Sequence, residues 1–203
     1  MKKFAMLFFI RIFISCLIMI LFSCEKNEVK VYFIDMTLQL KCDSLSVDAT
    51  ITRKNDSLFI LRTDFFYENK KTGSDFRQLP FPVFKFITGD VDRDGNPDLI
   101  LGTIKKTRFD KEPGKRISIF SLKDMKIKTL WMGSRLSRPL VDFRFDDESG
   151  KIISLEKEQN GTWLVAEYQW EKFGLKFIRY IKRNCNLVQT INMIYNPGFQ
   201  AGD

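Results

Sequence analysis

Along most of this chain, apolar residues alternate with polar ones in short runs broken by turn-forming residues. A period of two places successive side chains on opposite faces of an extended chain, so the pattern predicts β-strands. They are expected at residues 31–36, 45–53 and 57–67, then at 83–88, 99–105, 116–122 and 127–131, and finally at 140–145, 151–156, 162–170 and 175–181. Lys54, Asn55 and Asp56 form a turn set between the second and third, and Asn160-Gly161 favours the type I′ turn of a hairpin. Helical periodicity is scarce, and the tail from 184 to 203 has no clear pattern. The expected class is all-β and antiparallel.

A repeat runs through the strand list. Phe81-Pro82-Val83-Phe84-Lys85-Phe86 recurs in kind as Arg138-Pro139-Leu140-Val141-Asp142-Phe143. Each copy continues through an acidic turn ending in glycine, at Asp94-Gly95 and at Ser149-Gly150, into an apolar strand, a hairpin and a further strand. That is the content of one four-stranded propeller blade. Residues 31–67 supply a third, irregular unit. The chain has room for three or four blades, compatible with a partial propeller, a small four-bladed one or an open stack of sheets.

The amino terminus follows different rules. Lys2 and Lys3 precede an apolar stretch interrupted only by Arg11, and the run from Ile12 to Phe22 has the length of a signal h-region, well short of a membrane-spanning helix. Leu21-Phe22-Ser23-Cys24 resembles the lipobox of bacterial lipoproteins, which implies cleavage before Cys24 and a lipid on its sulfur. The expected organisation is a signal peptide over 1–23, a lipidated tether over 24–30 and an all-β domain over 31–203. Acyl chains at Cys24 would hold the protein on a membrane, and Glu25 to Glu28 point toward outer-membrane sorting.

Composition narrows the chemistry. The formal charge of +8 falls to +5 without Lys2, Lys3 and Arg11, and the basic residues are interspersed with acidic ones. No concentrated basic face marks a nucleic-acid partner. The densest basic run, 105–116, is read as a solvated hairpin loop, with a phosphate, lipopolysaccharide or acidic-glycan contact as the alternative. Beyond Cys16 and Cys24, only Cys42 and Cys185 remain, either as a disulfide or as two buried thiols. With no histidine in the chain, the commonest general base and the usual zinc ligand are missing. An enzyme would have to work with carboxylates, and Asp142, Asp146 and Glu167 are candidates for a glycan hydrolase or lyase.

The sharpest motif is Asp90-Val91-Asp92-Arg93-Asp94-Gly95-Asn96-Pro97-Asp98, of the form Asp-x-Asp-x-Asp-Gly-x-x-Asp. Alternate carboxylates on a wound loop converge on one point, Gly95 permits a positive φ, and hard oxygen donors at this density suit Ca²⁺. Asp90, Asp92, Asp94 and Asp98 are expected to ligate through side chains and Asn96 through its carbonyl. An EF-hand is excluded, since its position 12 would be Leu101 and strands flank the loop. Residues 88–102 resemble the calcium loops of the FG-GAP and VCBS repeat family of integrin-type β-propellers. The resemblance implies a loop joining the first two strands of a blade. In the second repeat, Asp146-Asp147-Glu148-Ser149-Gly150 lacks the alternating carboxylates.

Alternation over 162–170 puts Leu164, Ala166, Tyr168 and Trp170 on one face and Trp163, Val165, Glu167 and Gln169 on the other. The first set reads as core, and Trp163 as an interior aromatic between sheets. Asp43-Ser44-Leu45 and Asp56-Ser57-Leu58 resemble the O-glycosylation sequon of exported Bacteroidetes proteins. The resulting expectation is a non-catalytic, calcium-stabilised β module on the cell envelope, facing a glycan or protein partner. A carboxylate-dependent glycan enzyme and an envelope inhibitor or immunity lipoprotein are the alternatives.

Overall fold

A computed structural model of the chain describes residues 35–196. The signal segment, Cys24, its tether and most of the strand expected at 31–36 lie outside the described residues. Twelve strands and one helix are described, and the fold is all-β. The first sheet comprises β1 (Met36–Cys42), β2 (Leu45–Arg53), β3 (Phe59–Tyr67) and β4 (Lys70–Leu79). β5 (Val83–Gly89), β6 (Asp98–Thr107), β7 (Asp110–Lys123) and β8 (Lys126–Trp131) form the second. The third holds β9 (Leu140–Asp146), β10 (Lys151–Lys157), β11 (Trp163–Glu171) and β12 (Gly174–Cys185). Within each sheet the strands lie in chain order and every pair is antiparallel, so each is a blade-like meander.

Two elements depart from expectation at the start of the chain. β1 runs on through residues 37–42, where no strand was expected, with Met36, Leu38, Leu40 and Cys42 opposite Ile51, Ala49, Val47 and Leu45. β4 was not anticipated. Most of its residues are exposed, so it carries no apolar alternation, and its lysines face water along an edge, where charge discourages further pairing.

Burial assigns the sheets to layers. Val47, Ala49, Ile51, Leu61 and Phe65 of the first sheet pack with Leu99, Leu101 and Phe120 of the second. On the second sheet's other face, Ile100, Ile117 and Ile119 join Phe143, Ile152, Leu164, Ala166 and Tyr168 of the third. A strand buried on both faces loses its alternation, which is why Leu99-Ile100-Leu101 reads as a continuous apolar run. Among the described residues, the first and third sheets share no buried cluster. The arrangement is a stack of three sheets.

The far face of the third sheet is closed by a helix, α1 (Leu187–Tyr195), whose Ile194 joins Ile153, Leu155 and Val165, with Trp163 partly buried against them. The two faces assigned to 162–170 are separated as expected, with Leu164, Ala166 and Tyr168 in the inter-sheet core, but Trp163 packs in the cluster beneath the helix and not between two sheets. The helix corrects the patternless tail. Its start is set by a capping box in which the Asn186 side chain accepts from the Gln189 N–H at 2.9 Å and the Gln189 side chain accepts from the Asn186 N–H at 3.2 Å.

The repeat is visible in the contacts. Lys85 and Asp142 hold the same place in their two copies, and they meet as an ion pair at 2.8 Å between β5 and β9. Phe86 and Phe143, also equivalent, each fill one inter-sheet core. The Pro82 carbonyl accepts from the Ile104 N–H at 2.8 Å, and the Pro139 carbonyl accepts from the Lys157 N–H at 3.0 Å. Cys42 and Cys185 are buried free thiols in the first and third sheets.

Gly89 marks a close approach between the second and third sheets. A Cβ there would lie 2.0 Å from Cδ1 of Phe145. Gly89→Ala should destabilise the protein by about 1–3 kcal/mol, the usual cost of overpacking a core. Urea denaturation measures it, and Phe145→Leu in the Gly89→Ala background should recover part of the loss.

Candidate metal centre

The aspartate loop joins β5 to β6 at one end of the second sheet. Its winding is set by two residues with positive φ, Arg93 at 60° and Gly95 at 91°. This turns backbone N–H groups inward onto the carboxylates. The Asp94 N–H donates to Asp90 Oδ1 at 3.1 Å and Asp92 Oδ1 at 3.2 Å, and the Gly95 N–H donates to Asp90 Oδ2 at 3.0 Å. The Val91 N–H donates to Asp98 Oδ2 at 3.0 Å. Val91 itself is buried in the core between the second and third sheets and anchors the loop from below.

Of the four aspartates expected to ligate, the structure brings three together. Carboxylate oxygens of Asp90, Asp92 and Asp98 all lie within 4.8 Å of one another. Oxygens sharing one Ca²⁺ at 2.3–2.6 Å are separated by at most about 5 Å, so the three can touch a single ion. Asp94 is exposed and its Oδ1 accepts from the Asn96 N–H at 2.9 Å. The Asn96 side chain is used elsewhere, accepting from the Asp43 N–H at 2.9 Å.

Electrostatics sharpen the site. Asp98 is only 2 % exposed, and burial, followed by the charge of Asp92, pushes its carboxyl up to about 7 against donation from the Val91 and Asp92 N–H groups. Asp92 is also raised, by burial and then by Asp94. Clustered like charges withdrawn from water favour protonation or a cation. The donors are all hard oxygens and fit Ca²⁺.

The loop also touches both neighbours. Asn96 reaches Asp43 in the β1–β2 turn, while the Arg93 guanidinium donates to the Ser149 carbonyl in the β9–β10 turn at 2.5 Å. That second turn holds no comparable cluster. Asp146 accepts from Arg144 at 2.5 Å, from the Ser149 hydroxyl and from the Ser149 N–H at 3.2 Å, which hold its carboxyl below the usual range.

The carboxylates considered for catalysis are each bound to their own cation. Asp142 pairs with Lys85, Asp146 with Arg144, and Glu167 with Arg179 at 2.9 Å and Lys151 at 3.2 Å. Arg179, then burial opposed by Lys151, leaves Glu167 below its ordinary value. Glu156 escaped sequence reasoning. It is fully buried and accepts from Ser137 Oγ, the Arg138 N–H, Ser154 Oγ and Tyr168 Oη at 2.6–2.8 Å, pinning the segment before β9 to the third sheet. Its four donors come from three separate segments, and no local motif announces them.

No family model matches the chain, and no curated protein matches it. A solved structure described as "Structure of a Xanthomonas Type IV Secretion System related protein" is similar over 72% of this chain and 86% of that one, at 11% identity and a TM-score of 0.34. A likeness of that size carries no argument about fold or function.

Proposed function

We propose that this chain is an exported lipoprotein, held by lipid on Cys24 at the cell envelope and most simply at the outer membrane. Its calcium-fixed stack of sheets serves as a non-catalytic module that presents loops to an envelope glycan or protein partner. The observation that carries the calcium reading is the convergence of Asp90, Asp92 and Asp98, and the resemblance to FG-GAP and VCBS loops supports the same ion. Those three side chains would hold it, and its charge would neutralise the cluster. Because Asn96 and Arg93 link the loop to turns of the first and third sheets, fixing the loop would tie the three sheets together at this end.

Calcium titration by calorimetry, with thermal melting alongside, tests the site. One-site binding that raises Tm is expected, with both effects lost in Asp92→Ala and in Asp98→Asn. An absence of binding and of thermal shift at millimolar calcium would remove the metal and leave an acidic turn.

The metal-free protein has its own signature. The Asp98 carboxyl at about 7 compares with an ordinary aspartate near ~3.9. Between these values the folded state holds more protons than the unfolded one, so stability falls as pH rises through the window. In EDTA, Asp98→Asn should therefore gain Tm relative to wild type from pH ~4 to pH ~7. Parallel profiles would contradict the buried carboxyl. For the anchor, labelled palmitate should enter the wild-type protein in the bacterial host and not Cys24→Ser, which should leave the membrane fraction.

A further inference from the structure

The second sheet has a second open end, away from the aspartate loop. There a cavity of ≈ 770 Å³ is lined by Pro80, Phe81, Pro82, Ile104, Lys105 and Met132, with further contributions from neighbouring strand ends. This is the size of a small-molecule site, and its walls are mostly apolar, as such sites are. Pro80 and Pro82 offer no N–H, so the wall they form lacks backbone donors at those positions.

Lys105 is a charged residue of the cavity wall. Its Nζ lies 4.9 Å from the centroid of the Phe81 ring, donates to Ser118 Oγ at 3.1 Å and donates to the Met132 carbonyl. An ammonium has three donors, so one remains beyond these two. Among the described residues it has no carboxylate partner, and the charge acting on it is that of Arg116. Arg116 is itself buried and paired with Asp110 at 2.5 Å. Burial, and then Arg116, bring the Lys105 ammonium down to about 8. Lys106 also lines the cavity, and no acidic residue does. A half-buried cation without a counter-charge loses hydration that two neutral acceptors and a ring replace only in part. An anion entering the cavity would replace it.

We propose that this cavity binds a small organic monocarboxylate with an apolar or aromatic body, its carboxylate accepting the remaining N–H of Lys105 and its body lying against Phe81, Pro80 and Pro82. One open donor matches a monoanion, whereas a phosphate dianion needs several. The apolar walls then supply the rest of the binding. The site is independent of the aspartate loop, since it lies at the other end of the second sheet.

The probe is phenylacetate, compared with its neutral isostere phenylacetamide and with inorganic phosphate, by calorimetry on the purified protein near pH 7. Phenylacetate should bind one to one, and about tenfold or more tighter than phenylacetamide, as one charge-assisted hydrogen bond would give. Lys105→Met should lose a similar factor while leaving any calcium response intact. A second readout needs no variant: in ¹³C-lysine spectra, phenylacetate should raise the pH midpoint of the Lys105 Cε signal. Equal binding of acid and amide, tighter binding of phosphate, undiminished binding in a folded Lys105→Met protein, or an unmoved midpoint would each overturn the proposal. So would no phenylacetate binding at about 10 mM, well above the weak millimolar affinity expected of such a ligand.

Discussion

Burial of the second sheet on both faces is the constraint around which the molecule is arranged. Leu99 and Leu101 point one way and Ile100 the other, and all three are fully buried. A sheet with two apolar faces needs two covers, and each cover is a meander of the same kind with one apolar face to offer. The first sheet can end the stack because its outer face carries Asp48, Thr50, Arg62 and Asp64, all at least partly solvated. The third cannot, because Ile153, Leu155 and Val165 remain on its far side, and α1 covers them.

Both sites are consequences of that layering. At the ends of a strand the ladder stops, and backbone groups and side chains must find other partners. At one end of the second sheet, N–H groups of the β5–β6 loop turn onto aspartates, and Asp98 is buried because it is the first residue of a core strand. At the other end the same strand carries Lys105 out of the core with its charge only partly hydrated. The central sheet thus holds an excess of negative charge at one end and positive charge at the other. Each end has an apolar layer beneath it, where water screens charge poorly.

The equivalence of the second and third units persists where their turns diverge. Lys85 and Asp142 occupy matching positions and attract one another, so the repeat carries a charge difference that suits neighbouring strands. The acidic turns took different solutions to the same problem. One concentrates carboxylates, and the other neutralises Asp146 with Arg144.

Much of this was legible in the chain, wherever the controlling interaction is local. Alternation marked most strands, and the spacing of aspartates about Gly95 marked the loop, because period and turn geometry involve residues close in sequence. The edge strand β4 was hidden, since a strand with most of its residues exposed needs no apolar pattern. The nine-residue helix was hidden too, although Asn186 and Gln189 spelled its capping box. The run at 105–116 read as a solvated loop, yet Lys105, Lys115 and Arg116 lie on strands and are half or fully buried. Charge alone does not reveal what a neighbouring strand will cover. The sequence by itself determined the β class, the blade-like units and the aspartate loop between two strands. Only the tertiary structure decided how the sheets stack and that Lys105 meets no carboxylate among the described residues, because each depends on segments brought together from far apart in the chain, and only it showed which three aspartates of the loop converge.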